Sequence, residues 1–180
     1  MQSIRERLLG TLDSDPSTFR ERAVRIDGHR TAGTGAVPAF DSVDGSGVPG
    51  WADLLERERR LVWRVWVLAD APLGVTLSGA AYEDNPLWYA NRTFRRLTGY
   101  TMAELYDRNP RLLQGPDTEA EAVASLHAGL RGWEPVTADL WNYRRDGTRF
   151  RNRVSLLPVF DETGTVTHWF GVQGRLEREG

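Results

Sequence analysis

The sequence predicts an α+β domain: a five-stranded antiparallel sheet with short helices on one face, preceded by an N-terminal helical extension. Three observations predict it. Two short strand-like runs are followed by a cluster of helix-capping signals. Three long alternating runs then follow with no helical pattern between them. The connections between those three runs carry hairpin chemistry, Asp146-Gly147 in one and Asp161-Glu162-Thr163-Gly164 in the other.

Taken in order, Ile4, Leu8 and Leu12 recur at helical spacing, so residues 1–26 form short helices with too few turns to be stable alone. Residues 27–50 hold six glycines and two prolines with little apolar material and read as a linker. Gly33-Thr34-Gly35 is not a nucleotide loop, because no third glycine follows at the right place and Pro38 interrupts the helix that should start there. From Trp51 to Ala69, residues Leu54, Leu55, Leu61, Val62, Val65, Trp66 and Leu68 fall mostly on one helical side and stop before Pro72. Two readings of this helix stand side by side: a signalling or dimerising helix, or a helix packed on its own domain. The chain thus divides into an extension and linker at 1–50, an amphipathic helix at 51–72, and a domain at 73–177.

Within that domain Val75–Ser78 and Leu87–Ala90 are strands flanking the loop Asp84-Asn85-Pro86. Asn91 caps a helix through Leu97 that Gly99 ends. Thr101 with Glu104 and Thr118 with Glu121 fit the capping box, and the second of these helices runs to Leu130. Strands Val136–Arg144, Thr148–Phe160 and Thr165–Leu176 complete the order β-β-α-α-α-β-β-β.

Composition excludes several classes of function. A net charge of −2 gives no global field toward nucleic acid or an acidic membrane, and no apolar run reaches the roughly 18 residues of a span. Residues Met1 to Arg7 lack the apolar stretch of a signal peptide, which gives a cytoplasmic address. There is no cysteine, so disulfides, thiolate catalysis and thiol adducts are excluded. There is no lysine either; all 23 basic residues are arginine, which removes Schiff-base chemistry. His29, His127 and His168 are not spaced for a metal, and no nucleophile–base pair stands out, so the chain is not read as an enzyme.

Alternation sorts each strand into two faces. One face of the first long strand holds Val136, Ala138, Leu140 and Asn142, and one face of the second holds Phe150, Asn152, Val154 and Leu156. In the last strand Trp169, Gly171 and Gln173 share a face. A buried amide without a partner costs about 1–3 kcal/mol. A backbone group or a water satisfies one such amide; three on consecutive strands suit a flat heterocycle with alternating C=O and N–H on one edge. The opposite face carries Trp141, Tyr143, Leu157, Val159, Phe170 and Val172, too apolar for water, and calls for cover by helix 51–69, by a second subunit, or by both. Arg149, Arg151 and Arg153 continue that face as a solvated strand end; without a base-stacking motif no nucleic-acid partner is expected.

Several segments then carry a resemblance: Asp84-Asn85-Pro86, Tyr89-Ala90-Asn91, Leu97-Thr98-Gly99-Tyr100, the run from Arg108 to Thr118, Asn142-Tyr143, Asp146-Gly147, Phe150-Arg151-Asn152 and Gly171-Val172-Gln173. In order and spacing they resemble the signature of the light-oxygen-voltage (LOV) subfamily of PAS domains over residues 73–177. The resemblance implies the PAS fold and a flavin, usually FMN, held between sheet and helices. It implies that Asn142 and Asn152 bond the pyrimidine edge of the ring and that Gln173 contacts O4 near N5. It assigns Asn109 and Gln114 to the ribityl chain, Arg111 to the phosphate, Ser78 and Asn85 to the lining, and Leu113, Val154, Leu156 and Trp169 to apolar walls.

The sequence departs from the family at two positions. Pro110 stands where the family has the cysteine whose sulfur light drives onto the flavin, so the adduct is impossible here. His127 stands where a second arginine pairs with the phosphate. The loop after Gln114 lacks the insertion that accommodates FAD in some relatives, which favours FMN. What remains is a blue-light or redox sensor in which the flavin is reduced to the neutral semiquinone. Gln173 then reverses its amide and relays the change through the sheet to helix 51–69 and a dimer interface. Trp169 is read either as electron donor or as pocket wall. The alternative is a PAS interaction module that has lost its photochemistry. Ending at Gly180, the chain is expected to signal through its N-terminal segment, a homodimer or a separate effector, and a fragment of a larger receptor is an equal reading.

Overall fold

In a computed structural model of the chain, residues 1–26 and 37–176 are described. His29, Gly33-Thr34-Gly35 and the predicted domain end at residue 177 lie outside them. The three alternating runs form β3 (Val136–Tyr143), β4 (Arg149–Phe160) and β5 (Val166–Arg175), and the earlier pair forms β1 (Gly74–Gly79) and β2 (Leu87–Ala90). All pairings are antiparallel, in the order β2-β1-β5-β4-β3, so the last strand in sequence lies at the centre of the sheet. That centre is what places Gln173 beside β4 on one side and β1 on the other.

The capping signals act largely where they were read. The Asn91 Oδ1 accepts the Phe94 N–H at 2.9 Å to start α4 (Arg92–Thr98), and Gly99, at φ 78°, ends it in the left-handed region that favours glycine. Thr101 and Glu104 form the expected box on α5 (Met102–Leu105). Thr118 does not cap. The last helix, α6, runs Ala120–Gly132 after Glu119. Tertiary bonding wins over the local box: Thr118 Oγ1 donates to Trp141 O at 2.6 Å, and the Trp141 N–H donates to Glu119 at 2.9 Å. These two residues satisfy both free backbone groups of Trp141 on the edge strand β3.

The N-terminal region gains from packing what it lacks in length. Helices α1 (Ile4–Leu12) and α2 (Pro16–Ala23) start at a Ser3–Glu6 capping box and an Asp15 cap with Pro16 at the first position. Leu8, Leu12, Phe19 and Ala23 are buried, and the Phe19 ring lies 5.1 Å from Trp63. Trp63 belongs to α3 (Glu56–Val67), shorter than the predicted 51–69 because Trp51–Asp53 forms a separate 3-10 turn. Residues 37–50, part of the predicted linker, are not a free spacer. Val37 and Val48 are buried, Trp63 Nε1 donates to Pro38 O at 3.2 Å, and Arg60 lies 4.4 Å over the Phe40 ring.

On the sheet, α3 meets β1 and β2, whereas β5 is met by α1. The apolar face carrying Phe170 and Val172 is therefore covered by two helices of the same chain. Arg5 of α1 donates to Val172 O at 2.6 Å and to Ser155 Oγ at 3.1 Å. Trp141 and Tyr143, farther along that face, are outside this cluster; Trp141 lies under Arg149 at 4.5 Å and Arg151 at 5.6 Å.

His168 is sealed into the covered face, its ring edge-on to Trp88 at 4.5 Å and its Nε2 without a partner. Burial, with a smaller push from Arg57, holds its pKa down to about 4, below the usual 6.5. Above pH 6.5 the ring is neutral in both states and contributes nothing to pH dependence. Below 6.5 the unfolded chain takes up a proton that the folded chain refuses until about pH 4, so stability falls through that window by about 3 kcal/mol. His168→Phe should remove that part of the acid slope between pH 6.5 and 4 in urea titrations; parallel slopes in both proteins would refute it.

Candidate ligand-binding site

A cavity of about 260 Å³ lies between the inner face of the sheet and α6, close to the lower end of small-molecule sites. Its floor is the sheet: Thr76 and Ser78 of β1, Trp169 and Gln173 of β5, Val154 and Leu156 of β4, and Leu140 and Asn142 of β3. α6 closes it with Val123, Leu126, His127, Leu130 and Arg131, which recur at helical spacing. The third wall is the loop pair Ala81–Asn85 and Asn109–Gln114.

That third wall is shaped by local chemistry. Asn109 caps a 3-10 turn over Pro110–Leu113: its Oδ1 accepts the Arg111 N–H at 2.8 Å, and Pro110 fits the first position, where no N–H is needed. Asn109 Nδ2 donates to Asp84 O at 2.6 Å, and the Arg111 guanidinium holds the Asp84 carboxylate through both of its nitrogens. Hydrogen bonding to Arg111 draws the Asp84 pKa below its usual value. Asp84 and Asn85 are both left-handed, at φ 67° and 46°, a region that Asp and Asn tolerate better than other side chains. Asn85 Nδ2 donates to Gly79 O at 3.0 Å.

On the floor the three amides form one network. Asn152 Nδ2 donates to Asn142 Oδ1 at 2.8 Å and to Gln173 Oε1 at 2.9 Å. Asn142 Nδ2 donates onward to Leu113 O at 3.3 Å. The register makes this possible: Asn152 faces Leu140 on β3, and Val154 faces Gln173 on β5, so both neighbours lie on its diagonal. On this inner face of the sheet two buried polar atoms remain without partners, the Asn152 Oδ1 acceptor and the Trp169 Nε1 donor. Each such atom costs about 1–3 kcal/mol unless something pairs with it.

The structure brings Ser78, Asn85, Asn109, Pro110, Arg111, Leu113, Gln114, His127, Asn142, Val154, Leu156, Trp169 and Gln173 onto the wall of this one cavity. Asn152 does not line it; fully buried, it sits behind Asn142 and Gln173 and bridges them. Thr76, Val123, Leu126, Leu130, Leu140 and Arg131 line the cavity without having been singled out. The helical stripe from Val123 to Leu130 was the available signal for three of them, Val123, Leu126 and Leu130. No cluster of three or more metal-binding side chains occurs among the described residues.

Residues 72–173 match the PAS domain family. The chain belongs to that family. Its PAS domain is of the LOV type, as its structural neighbours show. The LOV domain of the Erythrobacter litoralis EL346 blue-light activated histidine kinase superposes with a TM-score of 0.56 at 34% identity, over 59% of this chain and 98% of that one. A LOV domain solved in a flavin-analogue study superposes at 0.58 and 37% identity, over 60% of this chain and 80% of that one. Among curated proteins, the bacterioopsin transcriptional activator of Halobacterium salinarum is 41% identical over 119 residues, 66% of this chain and 17% of its own length. The chain spans between 17% and 30% of the first curated relatives it matches, several of them blue-light-activated histidine kinases. In the Erythrobacter litoralis EL346 kinase the match falls on the LOV domain. No helix among the described residues is long and apolar enough to cross a membrane.

Proposed function

We propose that this chain is a flavin-binding sensory domain that answers blue light or redox state without a cysteinyl adduct. The observation that carries it is the amide network: Asn142 and Gln173 turn groups that both donate and accept toward the cavity, and Asn152 bridges them from behind. That is the demand a ring edge with alternating N–H and C=O would meet, and no thiol exists in the 180 residues to bond the ring. FMN is the proposed form. A bound flavin would supply blue-light absorption and one-electron acceptance.

The chain's own residues would do the rest. Leu113, Leu140, Val154 and Leu156 exclude water from the ring, and Asn142, Asn152 and Gln173 fix its orientation. When the atom facing Gln173 changes from acceptor to donor, the Gln173 amide must reverse to keep a bond. Reversal would break its bond from Asn152 at 2.9 Å and disturb β5. The preceding residue, Val172, is the one whose carbonyl Arg5 holds, so the change reaches α1 directly, with α3 reached through β1.

The output is proposed to pass to a homodimer partner or a separate effector in the cytoplasm. The dimer contact would use α3 and the part of the outer face around Trp141 that α1 and α3 leave uncovered.

The absorption spectrum of the purified protein before and after blue light, with a mild reductant, tests this reading. Bound flavin that gains broad long-wavelength absorbance on illumination supports it. Thermally reversible bleaching, as of an adduct, overturns the adduct-free part. Colourless protein that stays so with added FMN leaves a PAS interaction module. Gln173→Leu should leave reduction intact and abolish the light-dependent change in hydrogen exchange of α1; an unchanged α1 response would sink the relay.

A further inference from the structure

We infer that Arg131 is the residue that receives a phosphomonoester tail at the mouth of the cavity, and that Asp84 sets how strongly a phosphorylated ligand is preferred over an unphosphorylated one. The inference rests on a ring ligand occupying the cavity as proposed above. Three basic side chains line the cavity, Arg111 on the loop wall and His127 and Arg131 on α6, together with the Asp84 carboxylate. They are not equivalent. Arg111 already has an anion: it grips the Asp84 carboxylate with both terminal nitrogens, and Asn109 Nδ2 adds a third donor to that carboxylate at 3.2 Å. A phosphate approaching Arg111 must displace Asp84 or share the guanidinium with a like charge.

The Arg131 side chain has no hydrogen bond or ion pair among the described residues and lines the same cavity. It follows His127 by four residues on α6, so the two lie on one face. Helical side chains lean toward the N-terminus, which carries the Arg131 guanidinium back over the turn of His127 and away from the carbonyl end of the helix. An arginine there offers a planar pair of donors to phosphate, which the imidazole of His127 does not. The cation in this region is thus one helical turn farther along α6 than position 127.

Both variants that test this are exposed and sterically mild. Arg131→Gln keeps length and polarity. Asp84→Asn keeps a side chain suited to φ 67° while removing the competing charge. Dissociation constants for FMN and riboflavin are measured by quenching of flavin fluorescence at fixed ionic strength. Arg131→Gln should weaken FMN about tenfold and leave riboflavin unchanged. Asp84→Asn should strengthen FMN about threefold, again with riboflavin unchanged. Equal weakening of both flavins in Arg131→Gln would mean a wall role and overturn the assignment, as would a tenfold loss confined to His127→Gln.

Failure of the flavin reading is told apart by the wild type binding neither flavin. In that event, titration of inorganic phosphate followed on the arginine Nε–H resonances still decides. Movement of Arg131 ahead of Arg111 upholds the anion site, and no movement of Arg131 overturns it.

Discussion

An unfolding free energy lower by about 4 kcal/mol is the expected result of replacing Asn91 with alanine, larger than the loss of any ordinary helix cap. The side chain is 1% exposed and uses all of its hydrogen-bonding capacity on backbone. Its Oδ1 accepts from Phe94 N–H and Val75 N–H, each at 2.9 Å; its Nδ2 donates to Leu68 O at 2.8 Å and Leu73 O at 3.2 Å. Those four groups belong to the start of α4, the strand β1, the residue that ends α3, and the turn between α3 and β1. Alanine strands two buried N–H groups and two carbonyls in one step. Losing a cap contributes about 1 kcal/mol, and each orphaned buried group adds about 1–3 kcal/mol, less whatever water recovers. Urea denaturation checks the number, and hydrogen exchange should show α3 and β1 loosening together. A loss below 1 kcal/mol would mean that water enters and replaces the amide.

Asn91 also shows what a sequence conveys and what it conceals. Its capping role for α4 was legible because Asn before a helical run has a local mechanism; its grip on Leu68 and Leu73 was not, because those bonds depend on where α3 ends in space. Thr118 shows the converse. Its capping box is locally sound, yet the edge of β3 offers a better partner in Trp141 O, and the helix starts without it. The strand faces were legible because alternation has one period and an amide in an apolar stripe breaks it, which exposed Asn142, Asn152 and Gln173. Leu140 lies on that same stripe but looks like any core residue there, so its place on the cavity wall could not be told from packing. Arg131 and Arg5 were hidden for another reason. Charged residues on short helices are ordinarily solvated, and nothing local says that Arg5 reaches a strand 167 residues later. The burial within residues 37–50 was hidden on the same ground: Gly and Pro describe the backbone, whereas Val37 and Val48 join the hydrophobic cluster of the whole domain.

Asn152→Leu is expected to abolish flavin binding, by about a thousandfold, while lowering stability by only about 1–2 kcal/mol. The two effects separate because the amide has different partners for each. In the fold, Asn152 gives its two N–H bonds to Asn142 and Gln173, and both of those side chains also face the cavity, where rotation or water can relieve them. Asn142 keeps its own bonds to Leu113 O and Trp141 O, so the floor does not collapse. Leucine fills a similar volume in a stripe that already holds Phe150 and Val154, so no large void forms. For a ring ligand the loss is of another kind. Losing the amide that bridges them from behind frees Asn142 and Gln173, the two that face the cavity, from the orientation that matches the ring edge. Equilibrium dialysis with FMN, paired with urea denaturation of the same sample, reads both numbers. Binding retained within tenfold would show that the amide network is structural only. A stability loss above about 4 kcal/mol would show that Asn152 holds the sheet together, and dialysis of the correctly folded Asn142→Leu variant would then carry the test of the ring contact.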